Sequence, residues 1–209
     1  VLTLDHVSYS YHTPSGETPA LKDVSFSVRP GSFTSIAGPS GCGKSTLLSL
    51  IAGLITPEKG CIRFYKSDAM PAAARIGYML QHDTLLEWRT IYKNILLGLE
   101  VTHQCTEQKK RLAADMMHDY GLASFKNAHP SELSGGMRQR AALIRTLVLE
   151  PDILLLDEPF SALDYQTRLE VSDDIFRIIK EQEKTALLVT HDISEAIAMG
   201  EQVIVLSSR

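Results

Sequence analysis

The feature that most constrains this chain of 209 residues is a glycine-rich segment at residues 38–45, GPSGCGKS. It fits the pattern G-x-x-x-x-G-K-[ST] without a mismatch. Glycines let a backbone curl so that successive amides face one phosphate, and a following helix turns its positive N-terminus toward the same anion. The segment therefore predicts a phosphate-binding loop between a strand and a helix. A chance glycine-rich turn with a surface lysine is the alternative.

The residues of this loop are expected to contact different parts of a bound ATP and its Mg²⁺. Lys44 reaches the β- and γ-phosphates, the Ser45 hydroxyl ligates Mg²⁺, and Thr46 lies at the α-phosphate end. Backbone amides bind the other phosphate oxygens. The predicted ATP-binding residues of the segment are Gly38, Pro39, Ser40, Gly41, Cys42, Gly43, Lys44, Ser45 and Thr46.

Hydrophobic periodicity on both sides of the loop predicts alternating strands and helices. Strands are expected at residues 2–9, 24–28, 32–37, 62–65, 76–80, 153–156, 186–189 and 203–206, with a Pro/Gly loop at 13–19. Helices are expected at residues 44–52, 91–99, 106–120, 136–149, 166–183 and 193–199. Continuous apolar strands separated by helices indicate a mainly parallel sheet that is covered on both faces.

The middle of the chain departs from this alternation, because residues 83–149 contain helical patterns and no convincing strand. We therefore predict one domain over residues 1–209. Residues 1–81 and 150–209 form its β-subdomain and catalytic core, and residues 82–149 form an inserted helical subdomain.

Composition narrows the class of partner. The net charge is −4, so the basic excess of a nucleic-acid-binding surface is missing, and we expect no nucleic-acid partner.

The cysteines and the apolar runs indicate where the chain is located. The three cysteines have no metal-binding or disulfide spacing, which favours a reducing cytosol; they are Cys42, Cys61 and Cys105. No stretch approaches the roughly 18–20 apolar residues that cross a bilayer, so a membrane role would be peripheral, through a partner. The chain starts without Met and stops just after a predicted strand, and we expect it to continue beyond both ends.

Two acidic residues follow the apolar run ILLL directly. The carboxyl end of a parallel core strand lies at the ligand crevice of such a sheet. Because an unpaired buried charge is costly, two carboxylates at this position suggest a functional role. We expect Asp157 to hold Mg²⁺ through water and Glu158 to polarise the water that attacks the γ-phosphate. A strand that simply ends in polar loop residues is the alternative.

Residues 133–140, LSGGMRQR, resemble the signature motif of ABC-type ATPases, whose consensus begins LSGGQ. Met137 is the departure, at the fifth position. Ser134, Gly135 and Gly136 open a helix whose free amides can face a phosphate, so the segment is a second anion site. An ordinary serine N-cap followed by glycines is the alternative.

Other segments resemble further motifs of that family and occur in the same order along the chain. Gln81 resembles the glutamine that touches Mg²⁺ or the attacking water and links the site to the helical lobe, and His191 resembles the histidine that contacts the γ-phosphate. Tyr11 stands where these proteins stack an aromatic ring on adenine, with Tyr9 as the competitor. The segment SALD resembles the family's D-loop, which crosses the dimer interface; its residues are Ser161, Ala162, Leu163 and Asp164.

The resemblance covers essentially the whole chain and implies a fold, a reaction and an assembly. The fold is α/β: a P-loop NTPase (RecA-like) parallel-sheet core, an N-terminal antiparallel β-subdomain and an inserted α-helical subdomain. The reaction is ATP hydrolysis with catalytic residues Lys44, Gln81, Glu158 and His191 and with Mg²⁺ on Ser45, Gln81 and Asp157. Two copies form a head-to-tail dimer, in which each ATP lies between one phosphate loop and the partner copy's signature residues, Ser134, Gly135, Gly136 and Met137.

Residues 85–91, LLEWRTI, with NILLGL at 94–99 and the ending VLSSR, resemble the ATPases of nitrate, sulfonate and taurine importers, although Glu87 replaces their usual proline. This resemblance implies a peripheral position on the cytoplasmic face of a bacterial membrane and an extracytoplasmic substrate-binding protein in the same system. Permease subunits would dock on an exposed apolar cluster near residues 81–88; the core of the helical lobe is the alternative for residues 85–88. An exporter ATPase and a non-transport ABC ATPase are the alternative functions, and the presence of Glu158 disfavours a purely regulatory module.

Overall fold

The structure is a computed structural model that describes residues 2–14, 16–65 and 74–207. Its strands are β1 (Leu2–Thr13), β2 (Gly16–Val28), β3 (Phe33–Ala37), β4 (Lys59–Phe64), β5 (Ile76–Met79), β6 (Ile153–Asp157), β7 (Thr185–Thr190) and β8 (Gln202–Val205). Its α-helices are α1 (Lys44–Ile51), α2 (Ile91–Val101), α3 (Glu107–Asp119), α4 (Gly135–Leu147), α5 (Tyr165–Glu181) and α6 (Ile193–Met199). The two ends of the chain and the last residues of the VLSSR segment lie outside the described residues.

The chain divides into two compact units. The first consists of Val1–Ile76, Asp152–Asp157 and Gln182–Arg209, and the second of Gly77–Pro151 and Glu158–Glu181. The subdomain boundaries drawn from the sequence, at residues 81 and 150, stay a prediction.

The first two strands of the first unit form a long hairpin, so the predicted loop at residues 13–19 is wrong. β1 pairs antiparallel with β2 from Leu2 opposite Val28 to Thr13 opposite Gly16, and with β4 along its other edge. Both strands are therefore longer than the sequence pattern indicates. Pro19 is tolerated because β2 is an outer strand of this three-stranded sheet, where a missing amide interrupts no inner ladder.

A parallel array of strands in the order β6, β7, β3, β8 forms the core of the first unit and confirms the predicted class of fold. Every residue of β3, β6 and β7 is buried, as expected for a sheet with both faces covered. Ala37 lies opposite Thr190, and Asp157 lies opposite Val189. The carboxyl ends of β3, β6 and β7 therefore lie at the same edge of the sheet. The residues that follow these three strands lie at that edge as well.

The second unit packs the helices α2 to α5 around its own apolar core. α4 contacts α2, α3 and α5, and the side chains of Ile91, Ile95 and Leu99 on α2 are fully buried. Three of its helices begin at a hydroxyl cap: Thr90, Thr106 and Ser134 each accept a bond from a first-turn amide. Such caps satisfy donors that a helix leaves open at its start.

Among the described residues, no helix has the length and apolar character that crossing a membrane would require.

Candidate functional site

The loop between β3 and α1 depends on glycine at both of its ends. Gly43 caps α1 with φ of 98°, in the left-handed region, and a Cβ there would lie 2.4 Å from the carbonyl oxygen of Ala20. A Cβ on Gly38 would lie 2.6 Å from the carbonyl oxygen of Leu206. Both distances are shorter than any van der Waals contact, so only glycine allows the loop to curl against these neighbours.

Lys44 is a buried lysine whose side chain folds back over this loop. Only 5% of its surface is exposed. Its Nζ donates to the carbonyl oxygens of Gly38 at 2.9 Å and Pro39 at 3.0 Å. Burying an ammonium group is costly unless an opposite charge or good acceptors offset the lost water, and a phosphate would supply that charge. The loop therefore holds a buried cation directly against its own backbone.

Ser45 and Asp157 meet beside the loop. The Ser45 hydroxyl donates to Asp157 Oδ1 at 3.1 Å, and Asp157 is a buried residue at the end of β6. Hydroxyl and carboxylate oxygens are hard ligands of the kind that Mg²⁺ prefers. The oxygens of Ser45 and Asp157 therefore fit a Mg²⁺ ion as two of the three predicted ligands, of which Gln81 is the third.

An exposed tyrosine stands next to the same loop. The Tyr11 hydroxyl lies 3.1 Å from the Thr46 hydroxyl, and 44% of the Tyr11 surface is exposed. Tyr9 packs edge-on against Tyr11, with ring centroids 5.1 Å apart and an interplanar angle of 87°. Of the two candidates for adenine stacking, Tyr11 is thus the more exposed and contacts the loop through its hydroxyl.

His191 follows β7 at the edge where the carboxyl ends of the parallel strands meet. It is exposed, and the residue before it, Thr190, lies opposite the last residue of β3. The turn after it is fixed by Asp192, whose carboxylate accepts the amides of Ser194 at 2.9 Å and Glu195 at 3.3 Å. The first unit thus brings His191, Lys44 and Asp157 to strand ends and loops on one side of its sheet.

Glu158 opens a strained turn in the second unit. Its φ is 45°, a left-handed value that costs a non-glycine residue energy unless its surroundings hold it there. The Glu158 carbonyl accepts the Ser161 amide at 3.1 Å and the Ser161 hydroxyl at 2.9 Å. The same hydroxyl accepts a bond from Gln81 Nε2 at 3.2 Å. Ser161 therefore connects two predicted catalytic residues, Glu158 and Gln81, through one chain of hydrogen bonds.

The signature segment and the D-loop also lie together in the second unit. Ser134 caps α4 by accepting the Met137 amide at 3.3 Å. A Cβ on Gly135 would lie 2.8 Å from the Leu163 side chain, and one on Gly136 would lie 2.6 Å from the Val171 side chain. The two glycines therefore let the start of α4 approach the D-loop and α5 closely.

A polar cavity of about 450 Å³ lies at this junction. Hydrogen bonds from the Thr167 hydroxyl and amide lower the pKa of Asp164, which holds its carboxylate ionised at the start of α5. The cavity is lined by Ser134, Gly135, Gly136, Arg140, Ala162, Leu163, Asp164, Thr167, Glu170, Val171 and Asp174.

The exposed apolar cluster predicted near residues 81–88 is found only in part. Leu85 is 7% exposed and belongs to the core, as the alternative for this segment held. Trp88 is 76% exposed and Leu80 is 47% exposed. The large apolar side chains exposed in this stretch of the chain are therefore Leu80 and Trp88.

The sequence patterns missed a set of polar residues that hold the segment after Gln81: Asp83, Asn94, Arg138 and Arg145. One signal was available, because Asn94 interrupts the apolar face of α2 between Ile91 and Ile95 and is itself fully buried. The two arginines are seven residues apart, which places them on one face of α4, but charged residues at that spacing are ordinary on exposed helices.

A protein-family model described as ABC transporter matches residues 21–161. The uncharacterized ABC transporter ATP-binding protein YtlC of Bacillus subtilis is 49% identical over 208 residues, 100% of this chain and 80% of that protein. The aliphatic sulfonates import ATP-binding protein SsuB 1 of Rhodococcus jostii is 43% identical over 193 residues, 92% of this chain and 75% of that protein.

Two further relatives and one solved structure extend the comparison. The nitrate import ATP-binding protein NrtC of Synechococcus elongatus is 41% identical, covering 99% of this chain and 32% of that protein. The taurine import ATP-binding protein TauB of Yersinia pestis is 41% identical, covering 90% of this chain and 74% of that protein. The dimeric post-hydrolysis state of the ATP-binding cassette MJ0796, bound to ADP and Pi, superposes with a TM-score of 0.80 at 32% identity, over 99% of this chain and 94% of that one.

Proposed function

The chain belongs to the ABC transporter family of ATP-binding proteins, and on that premise we propose that it is the ATP-hydrolysing subunit of an ABC import system. Its relatives named as sulfonate, nitrate and taurine import ATP-binding proteins confirm the family resemblance drawn from the sequence. They favour import over export and over a role outside transport. The solute would be a small anionic or zwitterionic compound such as nitrate, a sulfonate or taurine.

The observation that carries this proposal is the cluster of Lys44, Ser45 and Asp157 at the carboxyl edge of a buried parallel sheet. A buried ammonium folded over a glycine loop suits the phosphates, and a hydroxyl bonded to a carboxylate suits Mg²⁺. Mg²⁺ would neutralise charge on the β- and γ-phosphates when bound there. Tyr11 would stack on the adenine at the Thr46 end of the loop.

The chemical step we propose is in-line attack of water on the γ-phosphate. Glu158 would accept a proton from the water or orient it, and Gln81 and His191 would touch the water or the γ-phosphate. The strained φ of Glu158 and its hydrogen bonds through Ser161 support this role, because strain held in place by neighbours is typical of functional positions.

We further propose that each ATP is sandwiched between two copies of the chain. The helix start at Ser134 offers free amides, and Gly135 and Gly136 keep it free of side chains. The solved dimeric structures of related cassettes support a homodimer. The D-loop residues Ala162 and Leu163, which lie beside the signature glycines, would then cross the interface.

The partners of this dimer would be permease subunits docking near Trp88, together with a substrate-binding protein outside the membrane. The dimer would lie peripherally on the cytoplasmic face, with residues 82–149 as its helical insertion. ATP that binds the closed dimer more tightly than the open one shifts the population toward closure, and hydrolysis reverses that shift.

The test is Lys44→Ala in the purified chain. Loss of the buried ammonium should abolish ATP binding, measured by calorimetry, and ATP turnover, measured by phosphate release. Lys59→Ala, at an exposed lysine of β4, is the matched control and should leave both unchanged. Near-normal turnover by Lys44→Ala in a clean preparation would refute the assignment of the phosphate loop.

A further inference from the structure

The segment that carries Trp88 is connected to the start of α4 by an arginine. Arg138 lies in the first turn of α4, where its Nε donates to Asp83 Oδ2 at 3.0 Å. The same guanidinium donates through its terminal nitrogen to the carbonyl of Leu133 at 2.8 Å. Because Leu133 directly precedes the Ser134 cap, one rigid group joins the beginning of the signature helix to Asp83.

A second arginine, Arg145, lies two turns further along α4 and donates hydrogen bonds to Asp83 and Thr84. Arg145 donates to the Asp83 carbonyl at 2.7 Å and to the carbonyl and hydroxyl of Thr84, both at 2.9 Å. Thr84 has φ of 47°, a strained left-handed value that these bonds hold in place. Burial lowers the pKa of the Arg145 guanidinium, although the charge of Asp83 acts in the opposite direction. Arg145 itself is half-buried, whereas Thr84 is exposed.

The far end of the segment is held by α2. The fully buried Asn94 accepts the Leu86 amide at 2.7 Å, and its Nδ2 lies 3.0 Å from the Leu86 carbonyl and 3.1 Å from the carbonyls of Arg89 and Thr90. Trp88 lies between Leu86 and Arg89, inside the stretch that Asn94 holds, and 76% of its surface is exposed. Residues 83–90 are thus hydrogen-bonded to α4 at their beginning and to α2 at their end, and the Glu87 carbonyl between them lies 3.1 Å from His129 Nδ1.

We propose that Arg138 and Arg145 are positioning residues that transmit movement of the signature helix start to the exposed surface at Trp88. This inference rests on the proposed function, since ATP on the partner copy is what would engage the start of α4. A shift of that helix start would pull Asp83 through Arg138, and the strained Thr84, held by Arg145, would pass the shift to the residues that follow. The proposal assigns to these side chains the coupling between nucleotide state and the docking surface.

The chain offers its own probe for the test, because Trp88 is its only tryptophan. In a Glu158→Gln background that retains ATP, we would record Trp88 emission and acrylamide quenching before and after adding MgATP. Dimer formation would be followed in the same samples by light scattering. The parent should change its Trp88 signal on forming the dimer.

Arg138→Gln and Asp83→Asn should lose most of this change while still binding ATP and forming dimers. Arg138→Lys, which keeps the charge, should keep the response. The matched control is Arg177→Gln, which removes another arginine from an ion pair in the same unit, with Asp174 at 2.9 Å, and should respond like the parent. Asp83→Asn keeps the Oδ1 acceptor for the Leu85 amide and leaves the sequence of α4 unchanged. It therefore serves as the test if Arg138→Gln does not fold or does not dimerise.

An unchanged Trp88 response in Asp83→Asn would overturn the proposal, as would a parent that dimerises with no response at Trp88. A parent that binds no ATP would instead refute the proposed function, so the two failures are distinguishable.

Discussion

At the scale of single residues, the site depends on backbone geometry that side-chain chemistry alone does not reveal. Gly43 and Glu158 both have left-handed φ values, of 98° and 45°. The first is a glycine that the loop pattern already demands. The second is a glutamate, and nothing in the letters ILLLDEP indicates that its backbone is strained. Spacing in the sequence thus predicts which side chains act, but the backbone conformation that presents them follows from tertiary contacts.

The phosphate loop gives a matched pair of glycines for testing this geometry. Gly43→Ala should lose ATP binding and destabilise the chain by at least about 3 kcal/mol, because its Cβ would meet the Ala20 carbonyl at 2.4 Å in addition to the left-handed strain. Gly41 has φ of 80°, but a Cβ at this position would have no neighbouring atom within 4 Å. Gly41→Ala should therefore cost only about 1–2 kcal/mol, from the strain alone. Urea unfolding of both variants compares them, and equal losses would contradict the role given to Ala20.

At the scale of elements, the alternating pattern of strands and helices could be predicted from the sequence, because apolar periodicity records burial directly. Helix α6 has the bounds expected, 193–199, and the other predicted helices differ at their ends by a few residues. The hairpin β1–β2 could not be predicted in full, since its outer half is polar and lies on a sheet edge. Cross-strand pairing, rather than hydrophobic pattern, extends those strands to Thr13 and Gly16.

Helix α2 illustrates how one buried polar residue fixes an element and the segment before it. Asn94→Ala should destabilise the chain by about 2–4 kcal/mol, because it leaves a cavity and removes the partner of the Leu86 amide. Thr90→Ala, which removes only the cap of the same helix, should cost about 1 kcal/mol. Thermal and urea unfolding measure both changes. A loss for Asn94→Ala no larger than that for Thr90→Ala would show that its hydrogen bonds to residues 86–90 contribute little.

At the scale of the whole molecule, the sequence predicted an assembly that a single chain does not contain. In the proposed dimer the phosphate loop and the signature segment of two copies each supply part of one ATP site, and within a chain they lie in different compact units. The order of the motifs predicts this head-to-tail dimer, because it resembles the order in a family whose members assemble that way. The network of Asp83, Arg138 and Arg145 could not be predicted, because its members are ordinary charged residues until the fold brings them together.

Glu158→Gln tests the assembly. The variant should bind MgATP, stop turning it over and double its mass in light scattering, because the ATP that joins two copies is no longer consumed. Glu181→Gln, at an exposed position at the end of α5, is the control and should hydrolyse ATP normally without accumulating dimer. Rapid turnover by Glu158→Gln would contradict the water-activating role.

A second variant separates the assembly from the chemistry. Ser134→Arg in the Glu158→Gln background should still bind ATP on its own phosphate loop but remain monomeric, because a long side chain would occupy the place of the partner's phosphates. Stable dimers of this double variant would rule out the sandwich through the signature segment.

The hairpin has a consequence for how the protein behaves at high concentration. β2 is a strand of 13 residues on the outside of its described sheet, and a long open edge invites pairing with the edge of another molecule. Its sequence interrupts that template with Pro19, which has no amide to offer, and with the exposed neighbouring charges of Lys22 and Asp23. Pro19, which favoured a loop in the sequence, therefore acts with Lys22 and Asp23 to discourage pairing with strands of other molecules and so protects the chain against edge-to-edge aggregation.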